Sequence, residues 1–316
     1  MTLGLMNALF LLAIWAIVPL GLRVLPDAAP IRLARRLQPV AAGLATVSLF
    51  LPTGPLAAVL AAAWLGLDGL VALGGLVVMR PSFRGGVPSL LILAAMVLPT
   101  VGGVNLVASR LGYALAGFPE PIILLTAIHF HYTAFAAPIL ASLSGRSGLA
   151  ALSGLGVVGG TPLLAAGFLC SPILKAVGVG VLCISMIGLA LGQLGQAPTL
   201  PHRRSRILLR ISSVAVLAGM LLAGIYEHGY ATGRTWLSIP EMAWSHGILN
   251  GVGFSLLGLL AWKPVRGDSP RGSAPPRGDS PTAESGLGTR GRNAPPTGVG
   301  GAPRGRRLDP SAPADA

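Results

Sequence analysis

The sequence predicts an all-α fold: a polytopic transmembrane helix bundle of about nine spans, N-terminus outside and C-terminus inside, followed by a disordered C-terminal tail. Three observations predict it. Hydrophobic residues fill 53% of the 316 positions and charged residues only 10%, against roughly 25% charged in a soluble globular chain. The apolar residues gather in runs long enough to cross a bilayer. The basic residues gather in every second loop between those runs.

About 20 apolar residues in a helix span the roughly 30 Å hydrocarbon core, and lipid leaves backbone groups no partner except each other. On that basis the spans run approximately 3–22, 38–52, 55–79, 87–107, 120–143, 148–170, 172–195, 207–226 and 241–262. The first lacks the basic n-region of a cleaved signal peptide and reads as a retained helix. The second is short and closes at Leu51-Pro52-Thr53-Gly54-Pro55, so a re-entrant segment, and eight spans, is the alternative. Loop charge favours nine. Arg23, Arg32, Arg35 and Arg36 follow the first span, Arg80 and Arg84 the third, Arg146 the fifth, His202 to Arg206 the seventh, and Lys263 with Arg266 the ninth. The opposite loops hold little beyond Arg110 and Arg234. Cytoplasmic loops retain Lys and Arg, so this alternation sets the orientation.

The division is therefore a transmembrane domain over 1–262 and a tail over 263–316 rich in Pro, Gly and Arg. The tail has too little apolar area to offset the entropy of ordering and is expected to be disordered and cytoplasmic. It contains Arg-Gly-Asp-Ser-Pro twice, at 266–270 and 277–281, a low-complexity repetition rather than an integrin ligand in a segment that faces the cytoplasm. The net charge of +13 follows from these loops and the tail and does not indicate a nucleic-acid partner. The expected partner is the lipid bilayer. Cys170 and Cys183 form neither a CxxC nor a disulfide framework.

A polar side chain inside the bilayer costs energy, so each is a candidate site residue. The densest group is Thr126-Ala127-Ile128-His129-Phe130-His131-Tyr132-Thr133 in the fifth span. On an ideal helix His129 and His131 project about 200° apart and face different neighbours. Pro138 gives no N–H to the carbonyl of Ala134, so the helix is expected to bend or open past the histidines. Each histidine either bonds a neighbouring helix or lines a site. At ~1.5 Å per residue, His129 lies roughly 12 Å below the outer end of its span, and His246 about 8 Å into the ninth span with Asn250 one turn deeper. His129, His131, Tyr132, His246 and Asn250 are thus the candidate substrate-binding set, in an outward-facing polar pocket. Glu227 and His228 end the eighth span and Glu241 opens the ninth on the same side, either as relay groups or as ordinary polar helix ends. Asp68, flanked by Leu67 and Gly69 in the third span, is a proton or ion relay or a neutral hydrogen-bonded packing residue. The repeated glycines read as close helix packing, since no GxxxxGK[ST] accompanies them.

The stretch Ala127-Ile128-His129-Phe130-His131-Tyr132-Thr133-Ala134-Phe135-Ala136-Ala137-Pro138 resembles the signature of the YndJ-like family of bacterial multi-span membrane proteins, a likeness over roughly 87–262. The resemblance implies a multi-pass protein of the bacterial cell (inner) membrane with transporter-like character and brings no residue roles with it. The residues therefore support a transporter or permease for a small molecule or ion, with Asp68 or a histidine carrying coupling protons. The alternatives are a metal or haem site built from histidines on separate helices, or an enzyme using His and Glu on a lipid-linked substrate. No nucleophile stands beside a base in a recognisable pattern, so the sequence leans away from an enzyme. It names no cofactor.

Overall fold

The computed structural model describes residues 2–82, 86–145 and 148–267. Among them every long element is a helix. They are α1 (residues 2–22), α2 (Ala29–Phe50), α3 (Pro55–Ser82), α4 (Gly86–Leu111), α5 (Ile122–Leu143), α6 (Leu149–Cys170), α7 (Pro172–Gln196), α8 (Arg203–Ala231) and α9 (residues 239–267). Seven of them, all but α2 and α9, are long and apolar enough to cross a membrane. Of the other two, α2 opens with Arg32, Arg35 and Arg36, and α9 contains His246 and Asn250.

The helices extend past the apolar runs, because a backbone already nucleated continues into polar flanks at little cost. Thus α2 begins at Ala29, with Pro30 in its first turn, and buries Ile31 and Ala34 between its arginines. It is one uninterrupted helix packed along α3. Similarly, α8 extends beyond 207–226 at both ends, and α9 continues to Gly267, past the expected boundary at 262. The rest of the expected disordered tail lies outside the described residues, as do the loop arginines Arg84 and Arg146.

Two arginines fasten turns at opposite ends. Arg35 donates to the carbonyls of Leu22 (2.9 Å) and Leu25 (3.0 Å) and pairs with Asp27, closing the α1–α2 loop. Arg110 donates to the carbonyls of Ser48 (3.0 Å) and Leu51 (2.7 Å), two acceptors that the end of α2 leaves without a helical partner. The α4 chain then turns at Gly112, whose φ of 76° suits a residue without a Cβ.

The bundle is centred on α5. Buried residues make up 72% of it, against 33–50% of the other six apolar helices, and it packs on α1, α4, α6 and α9. Three of the helices meeting there are locally unwound. Wide π-helical turns occupy Ala13–Ile17 in α1, Phe130–Ala136 in α5, and Ala243–Gly247 and Leu249–Leu256 in α9. Such turns release carbonyls from the regular ladder. In α1 the Val18 N–H bonds Ala13 O, and the Ile14 carbonyl receives Gln38 Nε2 at 2.7 Å instead. In α5 the Ala137 N–H bonds Tyr132 O. The opening expected past the histidines because of Pro138 therefore begins at the histidines themselves.

Candidate functional site

Asp68 and His131 meet at the centre of the bundle. His131 is wholly buried; its Nδ1 lies 2.8 Å from Ala127 O and its Nε2 2.8 Å from the indole Nε1 of Trp64. A carbonyl only accepts and an indole N–H only donates, so the ring is the neutral Nδ1–H tautomer with its Nε2 lone pair turned to Trp64. Asp68, 4% exposed, sits one helical turn from Trp64 on α3 and holds its Oδ2 3.6 Å from the same Nε2. That separation is too long for a hydrogen bond. Asp68 Oδ2 has no hydrogen-bond partner among the described residues.

The surrounding helices shape this cluster closely. Phe10 of α1 meets both His131 and Trp64 edge-on, with centroids 5.3 and 6.5 Å away. From α4 the backbone of Gly102 and Gly103 closes the other side. A Cβ on Gly102 would stand 2.9 Å from the His131 ring, and one on Gly103 would stand 2.7 Å from Asp68 Oδ2. Two glycines thus let α4 lie against an imidazole and a carboxyl that any larger residue would displace.

His129 faces elsewhere, as the helical projection requires. It is an electrostatic neighbour of His246 on α9, and its buried Nε2 has no hydrogen-bond partner among the described residues. His246 Nδ1 bonds the Gly219 carbonyl of α8 at 2.8 Å, and Asn250 Nδ2 returns to the His246 carbonyl at 2.8 Å. Asn250 lies against Gly219, where a Cβ would stand 2.6 Å from its Nδ2. Tyr132 donates to Leu9 O of α1 at 2.7 Å and packs near Gly251. The five expected binding residues accordingly divide in two. His129, His246 and Asn250 belong to the α5–α8–α9 contact with Tyr132 beside it, and His131 belongs to the α3–α4–α5 centre.

The expected relay residues divide further. Glu227 forms an ion pair with Lys175 of α7 at 3.0 Å, and the Lys175 ammonium also sits 3.2 Å from the Tyr230 ring centroid. His228 lies with its ring 5.0 Å from that of Trp236 and tilted 48° to it, at the exposed end of α8. Glu241 accepts from the Ser238 N–H at 2.7 Å in a capping box that starts α9. Glu227, His228 and Glu241 each have a local partner, and none of those partners is Asp68. Sequence reasoning passed over Trp64, Phe10, Gly102, Gly103 and Lys175. Trp64 carried a usable signal, since it precedes Asp68 by four residues on the same helical face. Lys175, a lone cation in an apolar run, carried another. Among the described residues no three His, Cys, Asp or Glu side chains gather closely enough to hold a metal ion.

Comparison with known proteins agrees with this membrane-embedded arrangement. Over 155 residues the chain is 30% identical to a protein of Bacillus subtilis (strain 168) named uncharacterized membrane protein YndJ. That match takes in 46% of this chain and 27% of the relative, so the chain corresponds to about a quarter of the relative's length. No solved structure matches. The YndJ-like protein family matches residues 8–254, which hold all nine positions discussed above from Asp68 to Asn250, and the chain belongs to that family.

Proposed function

We propose that this protein is a proton-coupled transporter of the bacterial cell membrane, in which Asp68 and His131 share the moving proton. The observation that carries the reading is the unbonded carboxyl oxygen of Asp68, 3.6 Å from an imidazole nitrogen occupied by an indole N–H. A carboxylate without a partner in a dry interior is costly, so the uncharged acid is the resting form that fits this setting. When the Trp64 N–H withdraws from Nε2, the carboxyl O–H gains a lone pair to approach. Proton transfer then yields an imidazolium facing a carboxylate, an ion pair that pulls α3 and α5 together by several tenths of an ångström. The wide turn at Phe130–Ala136 supplies slack in the helix that must move. His129, nearer the outer end of α5, has a free buried nitrogen to pass protons inward.

The test is proton flux in vesicles that contain the purified protein and a pH-sensitive dye. The wild type is expected to relax an imposed pH gradient, alone or with a solute from a broad panel. Asp68→Asn and His131→Gln are expected to slow that relaxation at least tenfold. Unchanged flux in both variants would overturn the reading. A protein-bound metal ion is less well supported, because His129 and His246 bring only two imidazoles together and no third donor joins them among the described residues.

A further inference from the structure

A groove of about 360 Å³ opens where the α1–α2 loop meets the ends of α3 and α5 and the start of α4. Pro26, Val78, Ile92 and Met96 give it an apolar lining, broken by the hydroxyls of Ser89 and Ser142. Neither hydroxyl makes a hydrogen bond among the described residues, whereas Ser144, just beyond the end of α5, donates to the Leu140 carbonyl. The groove therefore offers an apolar body with two unused donors, a combination that suits an acyl chain ending in ester oxygens.

The charge around the groove identifies the headgroup that such a chain would carry. The segment that supplies Pro26 holds Arg23, Arg32, Arg35 and Arg36 against one acid, Asp27. Asp27 is already shared by Arg32 and Arg35, and Arg23 and Arg36 are exposed with no ion pair among the described residues. This is the end of the bundle that the loop arginines mark as cytoplasmic, the side on which membranes present anionic headgroups. We infer that the groove holds one acyl chain of an anionic phospholipid of the inner leaflet, with Ser89 and Ser142 meeting its ester region and Arg23 and Arg36 its phosphate. The site is independent of the Asp68–His131 centre, and its failure leaves the proton reading untouched.

The experiment titrates the detergent-purified full chain with phosphatidylglycerol or with phosphatidylcholine of the same acyl chains, counting bound lipid by native mass spectrometry. One phosphatidylglycerol is expected to bind at least tenfold more tightly than phosphatidylcholine. A basic residue near a membrane surface is worth about 1 kcal/mol, or roughly fivefold. The Arg23→Gln, Arg36→Gln double variant, altered only at exposed positions, is therefore expected to lose about 25-fold in phosphatidylglycerol affinity and little for phosphatidylcholine. Ser142→Phe, which fills the groove, is expected to lower binding of both lipids. Equal affinity for the two lipids, or a double variant that keeps the full preference, would overturn the inference. The double variant decides the question even if Ser142→Phe fails to fold.

Discussion

Two acids of this bundle are treated in opposite ways. Glu227 on α8 faces a lysine at 3.0 Å whose ammonium is further held by the Tyr230 ring. Asp68 on α3 faces a histidine at 3.6 Å whose nitrogen is already bonded to Trp64. The first pair is closed: each charge is answered, and the contact joins α7 to α8. The second is open, with an acid and a base side by side, each short of its best partner by less than an ångström. A structure that needed only packing at Asp68 would gain nothing from leaving its oxygen unbonded beside a base. On the proposed reading, the contrast separates a charge used to fasten helices from an acid placed to exchange a proton.

Breaking the closed pair is expected to have the largest effect on stability. Lys175→Met leaves Glu227 as an uncompensated buried charge and is expected to cost about 3–5 kcal/mol, with most of it recovered in the Lys175→Met, Glu227→Gln double variant. Thermal unfolding in detergent checks both. If Lys175→Met proves as mild as a change at Asp68, the contrast between the two acids fails. Next comes the glycine wall. Gly103→Ala sets a methyl 2.7 Å from Asp68 Oδ2 and is expected to cost about 1–3 kcal/mol through overpacking, while also displacing the carboxyl from His131. Gly69→Ala on α3, where a Cβ meets nothing within 4 Å, is its control and should leave the unfolding midpoint nearly unchanged.

Trp64→Phe sharpens the open side. It removes the donor to His131 Nε2, leaves that buried acceptor unsatisfied, and is expected to cost about 1–2 kcal/mol. It also frees the nitrogen for Asp68. The infrared absorption of a protonated carboxyl, present in wild type and absent in Asp68→Asn, is expected to weaken in Trp64→Phe as the proton passes to the imidazole. An undiminished band would show that the indole does not hold the two groups apart. The smallest stability effect belongs to Asp68→Asn, within about 1 kcal/mol, because no hydrogen bond is lost. Its expected large loss of proton flux against that small loss of stability is the sharpest form of the comparison.

Much of this was legible in the residues. The apolar runs located every helix, because hydrocarbon leaves the backbone no other way to satisfy its N–H and C=O groups. The His-x-His spacing fixed that His129 and His131 point to different neighbours, and they do. The proline at 138 flagged a distortion of α5, though not its extent. By contrast, one pocket drawn from His129, His131, Tyr132, His246 and Asn250 assumed that residues at similar depth share a partner. Depth follows from counting along a helix, whereas azimuth relative to other helices does not, and the wide turns in α1, α5 and α9 rotate side chains away from ideal positions.

The sequence by itself determined the class of fold, the helices and the short set of polar residues that must find partners away from water, since those follow from solvent and backbone geometry alone. Only the tertiary structure decided which partner each one found. Asp68 met His131 and Glu227 met Lys175 because Gly102 and Gly103 brought α4 against α3 and α5, and because α7 and α8 packed side by side. Such pairings depend on how closely two helices approach and at what rotation, quantities set by the packing of the whole bundle and carried by no single segment of the chain.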